Sequence, residues 1–259
     1  MEDLINTHFI NKTNKKLNTK IDEVWEFLKY MGGFEKFIIA GQYSFIVPPK
    51  IETIYVSAVG GGAGGAGGGG ACNYSSTIKN GGAGGGGGGR GTQVINQEIT
   101  VTPGETLTII VGEKGLGGTA GVTGTDANYA KNGGDRTDGE DTILKRGSTV
   151  LLTAQKGTRG FGGNKGKNVN ASVSGGRGGE LDGKQGEDSY KYSSDSSYPY
   201  PGNGGKGGQS GVFGGYGNGG EGGQGARADS TIEAHPGIDG TEGALVICFG
   251  GYRLKDINW

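Results

Sequence analysis

The chain has 259 residues, a formal net charge of −1, 62 glycines and 6 prolines. This charge balance argues against a nucleic-acid partner, and no apolar stretch approaches the roughly 20 residues of a membrane span. Glycine plus proline at about a quarter of the residues is typical of disordered chains. Strand-like segments recur between the glycine runs, however, and the runs are periodic. We therefore expect a folded protein without membrane insertion.

The N-terminal segment, residues 1–40, is polar and predicts a helix that ends at Gly32 and Gly33. Apolar residues recur at heptad spacing, interrupted by Asn14. The seam residues are Ile10, Leu17, Ile21, Val24, Leu28 and Met31. So short a helix is marginal alone and needs a partner surface. We predict an attachment or oligomerisation helix, which either forms a homotrimer or docks on a partner. The alternative is packing against its own domain.

Downstream, the apolar alternation predicts β-hairpins. The three hairpins cover residues 44–58, turning at Pro48 and Pro49, residues 93–112, turning at 102–105, and residues 141–155, turning around Arg146 and Gly147. Proline followed by glycine in the second turn is typical of type II. A last strand is predicted over 243–251. Together, residues 41–259 are expected to form one glycine-rich domain.

Each hairpin is followed by a glycine-rich run. In residues 202–223, GNGGKGGQSGVFGGYGNGGEGG, every third residue is glycine. A period of three fits the extended left-handed helix, and the absence of proline from the triplets argues against collagen. The remaining choice is a bundle of polyglycine-II helices, whose backbone groups bond to neighbouring helices. The predicted fold is an N-terminal α-helix plus β-hairpins carrying a polyglycine-II sandwich, mostly β or irregular with little α.

The side chains within the runs predict where each run lies. Residues 60–70 carry only alanine besides glycine, and residues 81–89 are nearly bare, so both are expected to be central. Residues 203–224 carry a polar side chain at most triplets and are expected in an outer layer. Because each run must return to the next hairpin, the non-glycine connections are expected to include several at the far tip. These connections are residues 71–80, 119–132, 164–174, 187–201 and 226–239.

The connection over residues 187–201 is rich in tyrosine, serine and aspartate. Tyrosine beside small polar residues is the chemistry of antibody binding loops, and tyrosine rings also stack on sugars. We therefore predict a receptor-binding surface, the alternative being a solvated loop. The candidate residues on the tip loops are Tyr74, Tyr129, Tyr190, Tyr192, Asp195, Tyr198 and Tyr200.

Catalytic and metal-binding patterns are weak in this sequence. GxGxxG matches carry no information in such a background, and residues 178–185, GGELDGKQ, lack the Ser or Thr of a phosphate-binding loop. The acidic cluster at residues 135–141 is expected to be a turn leading into the next strand, the alternative being a calcium site. Cys248 is expected to be a small buried residue. We expect a non-enzyme with no cofactor, metal or catalytic residues.

Glycine-rich motifs that alternate with dissimilar loops, behind a separate N-terminal segment, resemble the receptor-binding adhesins at the long-tail-fibre tips of T-even-like bacteriophages. The opening YSFIVPPKIETIYVSAVGGGAGG also resembles the glycine-rich domain common in phage tail-fibre proteins. The resemblance covers about residues 41–252. It implies a polyglycine-II sandwich whose variable loops contact the host surface.

Three functional hypotheses follow. The first is a receptor-binding protein of a phage or phage-tail-like particle, with a tail or fibre protein and a host polysaccharide or surface protein as partners. The second is a non-adhesive structural component of the tail or baseplate. The third is an ice-binding protein, which the tyrosine-rich loop fits poorly. Since MEDLINTHF lacks a signal-peptide pattern, we expect synthesis in the host cytoplasm and a place in the virion tail.

Overall fold

The computed structural model describes residues 14–20, 23, 32–74, 79–134, 136–168, 172–189, 200–228 and 232–259. Residues 14–20 are helical, as predicted, and Leu17 on the predicted seam is 55% exposed. The other seam residues, Ile10, Ile21, Val24, Leu28 and Met31, lie outside the described residues. Within the described part of the chain, no helix is long and apolar enough to cross a bilayer.

The strands build two four-stranded antiparallel sheets and one small two-stranded sheet. In the described chain they are β1 (Gly33–Phe37), β2 (Gly41–Ile46), β3 (Thr53–Val59), β4 (Cys72–Asn73), β5 (Lys79–Asn80), β6 (Gln93–Thr100), β7 (Thr106–Val111), β8 (Thr142–Arg146), β9 (Thr149–Ala154) and β10 (Ala244–Phe249). Sheet A has the order β1-β10-β3-β6, sheet B has β2-β7-β8-β9, and β4 pairs with β5. The predicted fold class, mostly β and irregular with little helix, is confirmed.

Sheets A and B pack face to face through alternating apolar side chains. β7 buries Leu107, Ile109 and Val111, and β3 buries Ile54 and Val56 against them. The period of two in these strands therefore places one face of each sheet in this shared core. A second cluster covers the other face of sheet A. It consists of Val59, Phe213, Ala244, Val246, Cys248, Leu254 and Ile257.

Two of the three predicted hairpins are wrong. β2 pairs with β7, whereas β3 pairs with β10 and β6, so residues 47–52 cross between the sheets instead of turning at Pro48 and Pro49. β6 and β7 likewise belong to opposite sheets. The 102–105 turn has the predicted geometry, with Gly104 at φ 80°, but it too joins the two sheets. Both crossovers lie at the same end of the sandwich and cover its core there, where Val47 and Ile51 are buried.

The other β predictions are confirmed. β8 and β9 form the predicted hairpin around Gly147, which has φ 55°. The predicted last strand is β10, which lies between β1 and β3 in sheet A. Because β1 begins at Gly33, the sandwich also includes residues before the predicted domain boundary at 41.

The described chain between these strands forms ten extended runs, which lead alternately away from the sandwich and back to it. They are run 1 (60–71), run 2 (81–91), run 3 (112–124), run 4 (131–141, described except at 135), run 5 (155–168), run 6 (172–180), run 7 (182–189), run 8 (200–209), run 9 (217–228) and run 10 (232–243).

Run 1 is hydrogen-bonded on all sides with a period of three. The N–H groups of residues 63, 66 and 69 donate to the carbonyl oxygens of residues 89, 86 and 83 in run 2. Those of residues 62, 65 and 68 donate to residues 241, 238 and 235 in run 10. Those of residues 61, 64 and 70 donate to residues 140, 137 and 131 in run 4. Its carbonyl oxygens accept bonds from runs 3, 5 and 9. Its glycines do not have positive φ. Three residues per turn without internal bonds is the polyglycine-II helix that the sequence predicted.

Run 2 is surrounded in the same way, by runs 1, 5, 6, 7, 8 and 9. The eight outer runs also bond to one another in the closed order 3-4-5-6-7-8-9-10. This pattern arranges the described runs in three layers, with runs 4, 5 and 6 on one face, runs 3, 1, 2 and 7 in the middle, and runs 10, 9 and 8 on the other face. The predicted central position of residues 60–70 and 81–89 is confirmed, since both stretches are buried.

Glycine is required in these runs because the backbones approach so closely. A Cβ added to Gly67 would lie 1.8 Å from the carbonyl oxygen of Thr119, and one added to Gly84 would lie 1.8 Å from that of Asn203. The central runs 1 and 2 bury only alanine side chains, whereas longer side chains stand where a run faces outward, as Asn203, Lys206 and Gln209 do in run 8. The predicted outer position is confirmed for residues 203–209 and 217–224, which lie in runs 8 and 9.

The prediction of one unbroken run over residues 202–223 is wrong. Runs 8 and 9 are antiparallel neighbours, and the chain reverses between them through glycines with positive φ at 211, 214, 215 and 217. Phe213 in this reversal is fully buried against the outer face of sheet A. Its apolar side chain anchors the turn at the sandwich end, which the glycine period does not reveal.

The acidic cluster is also not the predicted turn. It belongs to run 4, where the Asp138 carboxylate accepts the Arg159 N–H at 3.0 Å and the Asp141 carboxylate accepts the Lys156 N–H at 2.8 Å. Asn132 does the same for Lys165 at 2.9 Å. These side chains therefore satisfy the outward N–H groups of run 5. Within the described residues, no group of three His, Cys, Asp or Glu is placed to hold a metal ion.

Replacing Gly67 with alanine should destabilise the protein, because the new Cβ meets the Thr119 carbonyl oxygen. We expect a loss of about 1–3 kcal/mol or more, since close-packed backbones cannot make room. Gly251→Ala is the control, because a Cβ there meets nothing within 4 Å. Thermal unfolding measures both variants, and equal melting temperatures would contradict the close-approach explanation.

The Asp239 carboxylate is expected to make the stability of the protein depend on pH. Its carboxylate accepts the Gly117 N–H at 2.8 Å and pairs with Lys114 at 2.9 Å, and these two contacts hold the pKa of Asp239 below its ordinary value. The stabilisation is therefore present above the ordinary pKa of about 4 and is lost as pH falls through the folded-state pKa. Asp239→Asn keeps the acceptor and loses the charge.

We expect the stability gap between the parent and Asp239→Asn to be largest near neutral pH and to narrow below about pH 4. Asp239→Ala also removes the acceptor for Gly117, so its gap should persist at acid pH. Melting temperatures across this range test the assignment. A gap for the asparagine variant that does not change with pH would disprove it.

Candidate functional site

The described runs have their far ends together at one end of the bundle, opposite the β-sandwich. Near this end, hydrogen bonds join Gly70 to Lys131, Gly202 to Gly82 and Ala226 to Gly69. We call this end the tip. It carries the neighbouring ends of runs 1 and 2, 3 and 4, 5 and 6, 7 and 8, and 9 and 10. The runs bring these distant parts of the sequence together.

The chain enters the sandwich at the end away from the tip. The first residue of β1, Gly33, pairs with Phe249 at the end of β10, whereas Ala244, at the start of β10, pairs with Val59 next to run 1. Because β1 thus begins at the far edge of sheet A, the N-terminal segment joins the molecule at the opposite end from the tip.

The central part of the tip is held by side-chain bonds between connections. β4 and β5 form a short ladder, and the Cys72 thiol donates to Asn168 at 3.1 Å. The same Asn168 oxygen accepts the Ala127 N–H at 2.6 Å. Burial, with a smaller effect from nearby Asp126, raises the pKa of the Cys72 thiol and keeps it neutral. Three connections are therefore fixed relative to one another.

The turn between runs 3 and 4 is ordered by its own aspartate. The Asp126 carboxylate accepts the Asn128 N–H at 2.6 Å and the Tyr129 N–H at 3.4 Å. The Tyr129 side chain remains 68% exposed, and Tyr74 on the neighbouring connection is 52% exposed. Two of the predicted tyrosines thus present most of their surface to solvent, and the Asp126 carboxylate fixes the backbone at Tyr129.

The other side of the tip carries Tyr200, at the start of run 8. The Arg227 guanidinium lies 5.2 Å from the Tyr200 ring centroid, and the Arg227 N–H donates to Ile232 at 2.7 Å. This cation–π contact orients a ring that is 56% exposed. Tyr200 and Arg227 belong to different connections, so the sequence alone does not show that they are in contact.

The described candidate residues are distributed across the tip instead of lining one pocket. Tyr129 lies between runs 3 and 4, Tyr74 follows central run 1, and Tyr200 begins run 8 in an outer layer. The remaining candidates, Tyr190, Tyr192, Asp195 and Tyr198, lie outside the described residues. Sequence reasoning missed Asn168 and Arg227, whose roles depend on contacts between connections and leave no local pattern. The tip can offer aromatic rings, hydroxyls and amides to a large ligand.

The family model for a glycine-rich domain matches residues 38–252. The match covers most of the chain, so this protein belongs to the glycine-rich domain family. It extends over β2 to β10 and all ten described runs. Comparison with curated proteins finds no match.

Replacing Asn168 with alanine should loosen the centre of the tip, because Cys72 and Ala127 lose their shared acceptor. We expect iodoacetamide to label Cys72 several-fold faster in the variant. Cys248, buried in β10, is an internal control that reports opening of the sandwich. Peptide mass spectrometry measures both rates. Unchanged Cys72 labelling, or equal acceleration at both thiols, would contradict the local role of Asn168.

Proposed function

We propose that this glycine-rich domain protein is a receptor-binding protein of a bacteriophage or phage-tail-like particle. Its N-terminal end attaches to a tail or fibre protein, and its tip binds the host cell surface. The observation that carries the proposal is that the runs bring the described ends of the dissimilar non-glycine connections together, opposite the end of the sandwich at which β1 begins. A protein that links a particle to a cell needs two such ends.

The bundle supports this proposal because the side chains available for binding are not the groups that hold the fold together. The runs are held by backbone bonds, so a change of side chain in a tip connection leaves the scaffold bonds in place. Binding residues commonly lie on loops positioned by a rigid scaffold. The exposed tyrosines supply broad amphipathic contact area at low entropic cost, which suits a polysaccharide or a surface protein.

The other end supports attachment. Leu17 lies on the predicted heptad seam and is exposed in the single chain. A short helix with an open apolar seam gains stability by association. The partner is either a tail or fibre protein or two further copies of this chain, in a homotrimer.

The same features also favour a second candidate, a structural component of the tail or baseplate that uses the bundle as a rigid spacer. The exposed seam at Leu17 supports this role equally well, since docking into the particle is required in both cases. The two candidates differ only in whether the tip binds the host. In either role the protein is a part of the virion tail and is not an enzyme.

Binding of the fluorescently labelled full chain to intact candidate host cells tests the proposal. We expect saturable binding by the parent and its loss when residues 187–201 are replaced by a Gly/Ser linker. Lys206→Ala, on the outer face of run 8 away from the tip, is the matched control. Circular dichroism and melting temperature confirm that each variant folds. No saturable binding to any host by the folded parent would favour the structural candidate.

Single substitutions define the footprint at the described part of the tip. Tyr74→Ala, Tyr129→Ala and Tyr200→Ala should each weaken cell binding if their rings contact the receptor, by about tenfold for a central contact. Because all three rings are more than half exposed, their loss should barely change the melting temperature. If none of the three variants binds more weakly, these rings do not contribute to receptor binding.

A further inference from the structure

Two guanidinium groups converge on one phenylalanine on the outer face of runs 4, 5 and 6. The Arg177 guanidinium lies 4.6 Å from the centroid of the Phe161 ring, and the Arg136 guanidinium lies 5.0 Å from it. Arg136 is nearly buried, whereas Phe161 is 44% exposed and Arg177 is exposed. Neither the tip nor the β-sandwich uses these side chains.

The backbone fixes this arrangement. The Phe161 N–H donates to the Arg177 carbonyl oxygen at 2.7 Å, and the Phe161 carbonyl oxygen accepts the Gly86 N–H of central run 2 at 2.9 Å. Before and after Arg177 in run 6, the N–H groups of Gly176 and Gly179 each donate to a carbonyl oxygen of run 2 at 2.9 Å. The arginine and the ring are therefore carried by two neighbouring runs whose register cannot shift without breaking central bonds.

Beside the ring lies an open hollow of about 390 Å³. It is lined by Asp138, Thr158, Arg159, Phe161, Arg177 and residues 178–180. Its size falls within the range of small-ligand sites. Glycines at 178 and 179 keep side chains out of the hollow, so it remains open between the arginines and the carboxylates of Asp138 and Glu180.

The polar groups around the hollow differ in how many hydrogen bonds and ion pairs they already form. The Asp138 carboxylate already accepts the Arg159 N–H and lies 3.4 Å from the Lys156 ammonium. The Arg159 guanidinium is only 4.0 Å from Asp138, a long contact. Arg177 forms no salt bridge with any residue of the described chain. Its donors are held over Phe161 and are available to a ligand.

We propose that this hollow binds an acidic sugar unit of an anionic polysaccharide. Arg177, together with Arg159 in the same lining, binds the carboxylate or phosphate group through charge-assisted hydrogen bonds. The exposed edge of Phe161 packs against the apolar face of the sugar ring. The carboxylates of Asp138 and Glu180 accept hydrogen bonds from sugar hydroxyls. The site lies on the flank of the bundle and does not depend on the tip.

A polysaccharide fits this surface better than a nucleic acid. Nucleic-acid binding needs many cations along a phosphate backbone, whereas this chain has a net charge of −1 and two carboxylates line the hollow. A phosphodiester backbone offers few donors to those carboxylates. An acidic sugar presents one charged group together with several hydroxyl donors, which matches the mixture of arginines and carboxylates.

Titration calorimetry of the purified full chain with defined oligosaccharides tests the proposal. The probes are tetragalacturonate, which carries carboxylates, an oligomeric glycerol phosphate substituted with glucose, which carries phosphates, and neutral maltotetraose. We expect binding of one or both acidic probes and none of maltotetraose. The two acidic probes distinguish a carboxylate from a phosphate as the recognised group.

Arg177→Ala should weaken acidic-probe binding by about tenfold or more, because it removes the uncommitted cation. Arg177→Lys should restore part of the affinity, since it keeps the charge without the planar pair of donors. Phe161→Ala should also weaken binding. Lys206→Ala, which removes a cation from the opposite outer face, should leave binding unchanged. Melting temperatures confirm that the variants remain folded.

Three results would overturn the proposal. They are equal affinity of the parent and Arg177→Ala for the acidic probes, equal binding of maltotetraose, and binding of a single-stranded oligothymidylate in place of the acidic sugars. A protein with residues 187–201 replaced by a Gly/Ser linker should still bind the acidic probe through the hollow. Its loss of cell binding and retention of probe binding would separate the tip from this flank site.

Discussion

The backbone hydrogen bond between neighbouring glycine runs is the interaction on which the rest of this structure depends. In a conventional core, side chains fill the space between elements; here the elements touch through their peptide groups. Each residue of run 1 turns its N–H by a third of a turn relative to the preceding residue, so one run bonds to neighbours in every direction. The net gain per bond is only about 1 kcal/mol. Stability therefore requires that nearly all the runs assemble together.

This requirement explains why the bundle is joined to a β-sandwich. Glycine loses more conformational freedom on folding than other residues, and an isolated run has no internal bonds to offset that loss. The apolar core of sheets A and B holds the starting points of the runs close together. β3 continues directly into run 1, and run 10 leads back into β10 beside it. The sandwich thus sets the register from which the bonds between runs can form.

The features that the sequence predicts well are those set by repetition. Glycine at every third position predicts the three-fold helix, and the absence of side chains from residues 60–70 predicts burial on all sides. Strand pairing was not predictable, because the alternation of β2 and β3 is the same whether they pair with each other or face each other across a core. Phe213 likewise looks like one more interruption in a triplet pattern. The chain reverses there because Phe213 covers the second apolar face of sheet A.

At the candidate sites too, the sequence does not predict contacts that depend on which runs are neighbours. Tyr74, Tyr129 and Tyr200 could be chosen from composition, since exposed tyrosines on non-glycine connections stand out in this chain. Asn168 and Arg227 could not, because their partners are brought to them by the three-dimensional order of the runs. The pair Phe161 and Arg177 is also separated by a connection between runs. In a bundle of this kind, a side chain can act only from an outer edge or from the tip, since Cβ atoms are excluded from most of the interior. Recognition chemistry is therefore confined to surfaces that can change without disturbing the bonds that hold the protein together.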